Sequence, residues 1–302
     1  MKFLPLSVIL GGVSSHHQQE IGVFGSARNK LTPAWRYRSS GVVWRVVPTV
    51  SGKLIGETRD VHNKLASFFC LNLRTGEVLW EDARFGEPWW IGIEAVHNDT
   101  LLLHKFATPE LPEHRALIAI DVLTGSELWR NEGVRFDRLE SEAIAVTRTQ
   151  AFGGEQLRLD YRTGEVVDES QTAEVDRDTL VDAQPEIDLP SPRYELEGDN
   201  LTNTLLRQHC DMAKVVYPVD CLDLDTLLVC SIHETISASS DERPCMMNTL
   251  LVVDKGTGDL RFREVINKQA WAVVPDAFLV WEGMLIYVHE RAKLTAKDLH
   301  EQ

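Results

Sequence analysis

The chain lacks most of the features that assign a function quickly. Its 302 residues include only five cysteines, at 70, 210, 221, 230 and 245, with no adjacent pair and no Cys-x-x-Cys. An odd count leaves at least one thiol unpaired, and the spacing gives no zinc signature. Cys70 and Cys230 stand in apolar strand contexts, where a thiol acts as a small hydrophobe. Positive charge is also scarce: 31 Lys and Arg against 46 Asp and Glu leave a net charge of -15, which disfavours nucleic acid and anionic membrane surfaces as partners. No apolar run reaches the ~20 residues that a spanning helix needs. No His-x-His or His-x-x-x-His, no phosphate-binding glycine loop, no Ser-His-Asp set and no paired catalytic carboxylates can be placed at a meaningful spacing. No metal, no cofactor and no catalytic residue is therefore expected.

The N-terminal region is equally spare. Lys2 and the apolar run Phe3 to Val13 resemble a leader, but Pro5 interrupts the run and neither an Ala-x-Ala site nor a lipobox cysteine follows. Residues 1–32 are read as an N-terminal extension or weak leader, and 33–302 as one domain with enough apolar content, 43%, to bury a core. The expected compartment is cytoplasmic, with the periplasm as the alternative.

What the chain has is a repeated phrase, an Asp or Asn followed by Thr-Gly. It stands as Asn72-Leu73-Arg74-Thr75-Gly76, Asp121-Val122-Leu123-Thr124-Gly125, Asp160-Tyr161-Arg162-Thr163-Gly164 and Asp254-Lys255-Gly256-Thr257-Gly258. Glycine supplies the positive φ that a tight reversal requires, so each copy predicts a hairpin. β-formers precede the first two copies, at Ser67–Leu73 and Leu117–Asp121, and Trp80 and Trp129 close the strands that follow. Two further strands precede each hairpin. Trp44, Trp89-Trp90 and Trp271 open the first of these strands in three units, and that shared register predicts core packing for the tryptophans.

Four strands per unit of about 45 residues is the pattern of a propeller blade. Trp35 and Trp80 are 45 apart, Trp80 and Trp129 are 49 apart, and Asp168 to Phe262 is 94, or twice 47. The expectation is an all-β propeller of six four-stranded blades, with Tyr194–Asp199 as a degenerate copy; the alternative is five blades plus an insertion over the acidic, proline-bearing stretch 169–212. The C-terminal run Lys293–Leu299 reads as a third strand, and Ala34–Tyr37 supplies the missing fourth, so both termini are expected to share the last blade.

These units resemble the quinoprotein-alcohol-dehydrogenase-like propellers, whose repeat ends in Asp-x-x-Thr-Gly and then Trp. The resemblance covers residues 33–300 and implies that Trp80 and Trp129 pack between neighbouring blades, while Asp168 and Phe262 depart from the pattern. The segments Pro112-Glu113-His114-Arg115 and Gly56-Glu57-Thr58-Arg59-Asp60 also resemble an uncharacterised propeller family of the Bacteroidota. The quinone chemistry does not carry over. Such enzymes use about eight blades and commonly an adjacent cysteine pair, and this chain has neither the length nor the pair.

Any function must then lie in the loops between the second and third strands of each unit. These carry Glu57, Arg59, Asp60 and His62 in the first, His104 and His114 in the second, His233 and Glu234 in a later one, and His289 and Arg291 in the last. Equivalent placement would gather them on one face as a ligand- or partner-binding surface, with histidines able to titrate near neutrality. The reading is a non-catalytic propeller that binds a protein or a small ligand through one face of the ring. An enzyme with its site at the channel mouth and an envelope assembly scaffold stand as alternatives.

Overall fold

The structure is a computed structural model that describes residues 31–108, 111–149, 154–167, 189–198, 200–237 and 245–300. The chain divides into two compact units, one built on Ser39–Asp188 and the other on the segment ending at Arg38 together with Leu189–Gln302.

The strands follow from the turns. In each copy of the repeated phrase the Asp or Asn side chain accepts two backbone N–H groups, fixing an Asx turn. Asp121 Oδ1 accepts from Leu123 and Thr124 at 3.0 and 2.9 Å, and Asp160 Oδ1 from Arg162 and Thr163 at 2.9 and 2.7 Å. Asn72 and Asp254 repeat the geometry. The glycines that end the turns take φ of 72, 68, 71 and 76°.

The strand of the second unit that comes first in the chain is β1 (Pro33–Arg38). The first unit then holds three antiparallel sheets. The first is β2 (Val42–Pro48), β3 (Lys53–Asp60), β4 (Leu65–Asn72) and β5 (Val78–Ala83). The second is β6 (Ile91–His97), β7 (Thr100–Thr108), β8 (Leu111–Asp121) and β9 (Glu127–Asn131). The third is β10 (Val134–Leu139), β11 (Ile144–Thr149) and β12 (Gly154–Leu159), with a bridge from Leu159 to Val166 where a fourth strand would begin. In each sheet, strands adjacent in sequence are adjacent in space.

Burial explains why these strands read as apolar runs rather than alternating ones. Leu101, Leu103, Ile118 and Ile120 pack with Ile55, Phe68 and Cys70 of the first sheet. Leu102, Leu117 and Ala119 point the other way, into Ile144, Val146 and Leu159 of the third. A sheet covered on both faces needs apolar residues at every position.

The tryptophans of the repeat tie the sheets together. Trp80 donates its ring N–H to the Val122 carbonyl at 2.7 Å, and a Cβ placed on Gly125 would stand 2.9 Å from the indole. Trp129 makes the same contact one sheet on, with the Tyr161 carbonyl at 3.0 Å and Gly164 under its ring. The resemblance implied this packing for both residues.

The second unit holds a five-stranded sheet of β13 (Arg193–Glu195), β14 (Val215–Asp223), β15 (Leu227–Ser237), β16 (Cys245–Asp254) and β17 (Leu260–Ala270), with the short helix α1 (Leu201–Leu206) after β13. A four-stranded sheet follows in the order β18 (Phe278–Trp281), β19 (Met284–His289), β20 (Lys293–Asp298) and β1. Arg36 pairs with Thr295 and Tyr37 with Leu294, so the N-terminal strand takes the fourth place in the C-terminal sheet, as the sequence suggests.

Several expectations change here. The described residues form five sheets. The sixth repeat expected over 169–212 lies partly outside them, as do Asp168 and the leader region. Within the described part, Arg193–Glu195 joins the β14 edge and Asn200 caps α1, its Oδ1 accepting from Asn203 N at 2.7 Å. Where a preceding tryptophan would meet the Gly258 turn, Gln208 lies over the glycine and His209 bonds the Gly258 carbonyl at 2.8 Å. Phe262 is buried, 6.0 Å from the Tyr287 ring and beneath Lys297 Nζ at 4.5 Å. Trp90, just before β6, is 38% exposed, and Trp271, expected to open a first strand, instead follows the end of β17 and is 45% exposed, while Trp44 and Trp89 are half-buried. Cys221 and Cys230 face each other across β14 and β15, both buried and free.

Replacing Gly125 or Gly164 by Ala forces a side chain into left-handed backbone beneath an indole. Each change is expected to destabilise by about 1–3 kcal/mol, read as a lowered urea midpoint, whereas Gly133→Ala, whose Cβ would come no nearer than 3.6 Å to a neighbour, leaves it nearly unchanged.

Candidate functional site

The second sheet of the first unit carries a polar cluster on three consecutive strands. Glu94 lies on β6 at a register shift between Ile93 and Ala95, a bulge that re-aims its side chain. His104 lies on β7 opposite Gly92, and His114 on β8 opposite Phe106. The ligand atoms of the three side chains lie within 4.8 Å of one another. His114 Nδ1 bonds Glu94 Oε2 at 2.8 Å. The two imidazoles stack, with centroids 3.5 Å apart and planes 6° from parallel, and Phe106 meets both edge-on at 5.1 and 5.3 Å.

His104 is the buried member, 5% exposed. Its Nδ1 meets Glu94 Oε2 at 3.1 Å. Its Nε2 has no hydrogen-bond partner among the described residues. Burial pushes its imidazolium down, against the pull of the Glu94 carboxylate, so the ring is neutral near pH 7. For Glu94, burial acts upward, but the two imidazoles outweigh it and hold the carboxyl at about 2.

A second polar group supports the first. Arg59 donates from Nε to Glu57 Oε1 at 2.8 Å and from its terminal nitrogens to the Trp89 and Ile91 carbonyls. Its guanidinium lies 5.2 Å from the Trp89 ring and 5.9 Å from the Trp44 ring. Glu57 Oε2 accepts from Ile93 N at 3.0 Å. A Cβ on Gly92 would stand 3.3 Å from both Glu57 Oε2 and His104 Nε2. Gly92 therefore lets the carboxylate of the first sheet and the imidazole of the second approach each other.

Of the residues expected on a binding face, Glu57, Arg59, His104 and His114 gather in this one region. Asp60 and His62 belong to an exposed turn in which Asp60 Oδ1 accepts from His62 N and Asn63 N at 3.0 and 2.9 Å. The others lie in the second unit. His233 is buried, its Nε2 accepts from Val274 N at 3.1 Å, and burial holds its pKa down at about 4. Glu234 meets Arg263 at 3.3 Å. His289 is 3.9 Å from Glu264, and Arg291 stands exposed at a turn with φ of 60°. Glu94 was missed by sequence reasoning. Its signal is the even step of ten through Glu94, His104 and His114, which a meander of hairpins brings side by side.

Comparison with known proteins adds little to this geometry. Residues 47–129, which span the first two sheets, match a family described as "Domain of unknown function (DUF4905)". No curated protein matches the chain. Among solved structures, a europium-containing methanol dehydrogenase is similar at 13% identity over 88% of this chain and 52% of its own, with a TM-score of 0.29. The chain thus spans about half that enzyme's length. The Cps50 (Swd1) β-propeller domain of Myceliophteria thermophila is similar at 11% identity, 89% and 99% coverage and a TM-score of 0.32. TolB from Acinetobacter baumannii is similar at 9% identity, 83% and 65% coverage and a TM-score of 0.26.

Two predictions follow from the charges. Arg59→Met removes the guanidinium hydrogen-bonded to the buried Glu57, leaving Arg45 as its remaining charge partner, and costs on the order of 3 kcal/mol, while the double change with Glu57→Gln recovers most of it; chemical denaturation of the three proteins reads the difference. In the second unit, burial raises the buried Asp220 carboxyl to about 6, against the Asp276 N–H it accepts at 2.9 Å. The unfolded chain then ionises first, so stability falls as pH rises from about 4 through about 6. Asp220→Asn should flatten that slope in a series of thermal melts.

Proposed function

We propose that this chain is a non-catalytic binding protein of the propeller type, with β1 completing a blade that both ends of the chain share. Its ligand site is the Glu94–His104–His114 cluster with Glu57 and Arg59 behind it. The observation that carries the reading is His104. A side chain 95% buried whose Nδ1 meets Glu94 at 3.1 Å but whose Nε2 has no hydrogen-bond partner among the described residues costs free energy unless something completes the site, because a buried polar group without a hydrogen bond is destabilising. Packing alone gives no reason for an imidazole there.

The setting suits binding. The cluster offers a carboxylate held ionised beside two stacked imidazoles, groups that a polar ligand can meet. The exposed Trp90 stands 5.9 Å from Phe106 and extends the site with an apolar rim. A small polar ligand or the polar tip of a partner protein suits this arrangement. A net charge of -15 supports neither nucleic acid nor an anionic surface as the partner.

The test is native mass spectrometry of the protein purified from its own cells. A mass above that of the chain is expected, lost on denaturation and absent from the Glu94→Gln, His114→Gln double variant. A native mass equal to the bare chain, with no protein partner co-purifying through the same residues, would overturn the reading.

A further inference from the structure

The geometry points to a divalent first-row transition ion, of the zinc class, as the ligand of Glu94, His104 and His114. This rests on the reading of the cluster as a ligand site and names what fills it.

The donor set comes first. Two imidazoles and one carboxylate are nitrogen and oxygen ligands of the type that zinc and its neighbours take in open three-residue sites. Calcium and magnesium, which require a shell of oxygens, are a poor match. Spacing comes second. Ligands on a tetrahedral ion with bonds of about 2.1 Å stand about 3.4 Å apart. Here Glu94 Oε2 is 2.8 Å from His114 Nδ1 and 3.1 Å from His104 Nδ1, and the three ligand atoms lie within 4.8 Å of one another; an ion is admitted once the carboxylate draws back slightly and the stacked rings rotate to turn their in-plane lone pairs toward it.

His104 Nε2 and Glu57 Oε2 each lie 3.3 Å from where a Cβ on Gly92 would stand, which puts a carboxylate in the neighbourhood from which a metal-bound histidine draws its support. Glu57 is itself fixed by Arg59 and by the Ile93 N–H. With one carboxylate supplied, the bound ion keeps a net positive charge and an open position, available to an anionic group of a ligand. The expectation of no metal rested on spacing along the chain, whereas these ligands come together only through strand pairing.

The experiment uses the full chain, stripped with chelator and titrated with Co2+ and then Zn2+. One Co2+ per chain is expected, with visible absorption of a four- or five-coordinate nitrogen and oxygen site, displaced by Zn2+. Glu94→Gln and the half-exposed His114→Gln should each weaken binding at least tenfold with the far-ultraviolet circular dichroism unchanged. Arg148→Gln, on the third sheet of the same unit and paired there with Glu155, should bind as the natural chain does. If the natural chain takes up no Co2+ or Zn2+, or if both cluster variants bind as tightly as it does, the assignment fails. If the metal titration is silent while the native mass excess is organic and depends on the same residues, the ion is wrong and the binding site stands. If both experiments are silent, both fail.

Discussion

The first unit depends on one contact, an indole lying on a glycine. The Asx turn fixes Gly125 and Gly164 in left-handed backbone, where a side chain is disfavoured, and the absence of that side chain is what admits Trp80 and Trp129. Each ring then donates to a carbonyl of the same turn. The hairpin of one sheet is thereby the docking surface of the sheet before it. The Asp, the Gly and the Trp of the phrase are three parts of a single joint, which is why they recur together.

That joint commits both faces of each inner sheet to packing. Leu101 to Leu103 and Leu117 to Ile120 alternate between two cores, so no face is left for chemistry. Polar groups can gather only where the strands lose regularity. The bulge at Glu94 and the register shifts between His104 and Lys105 and between Phe106 and Thr108 mark that place. Regular strand gives way to irregular strand, and the apolar core gives way to stacked imidazoles under Phe106.

The architecture was legible because its determinants are local. A turn needs a glycine, a capping oxygen and little else, and these sit within five residues of one another. The shared last sheet was legible as well, since a third strand without a fourth at one end of the chain matched a lone Trp35 strand at the other. Trp90 and Trp271 were misread because register along the chain says which face a residue takes, not whether another sheet covers that face. Trp90 stands just before β6 and Trp271 just after β17, whereas Trp44 and Trp89 are half-buried against Arg59. Of the cluster, His104 and His114 were expected in the loop between second and third strands, and they lie instead inside β7 and β8, where long strands run on past the apolar core. Glu94 was hidden among many acidic residues, and only the pairing of three strands distinguishes it.

The pairing of Pro33–Arg38 with Lys293–Asp298 also orders events in time. Its partners are about 260 residues apart in sequence, with the whole first unit between them. As the chain emerges during synthesis, the three sheets of the first unit can form from neighbouring hairpins alone, while β1 waits as an unmatched strand until the last turn of the chain appears. The second unit is therefore a late folder by topology, with a long loop to close before its final strand is held. For that interval β1 is an open template for the β20 of any chain, its own or another, and at high concentration the same hydrogen bonds that finish one molecule can join two.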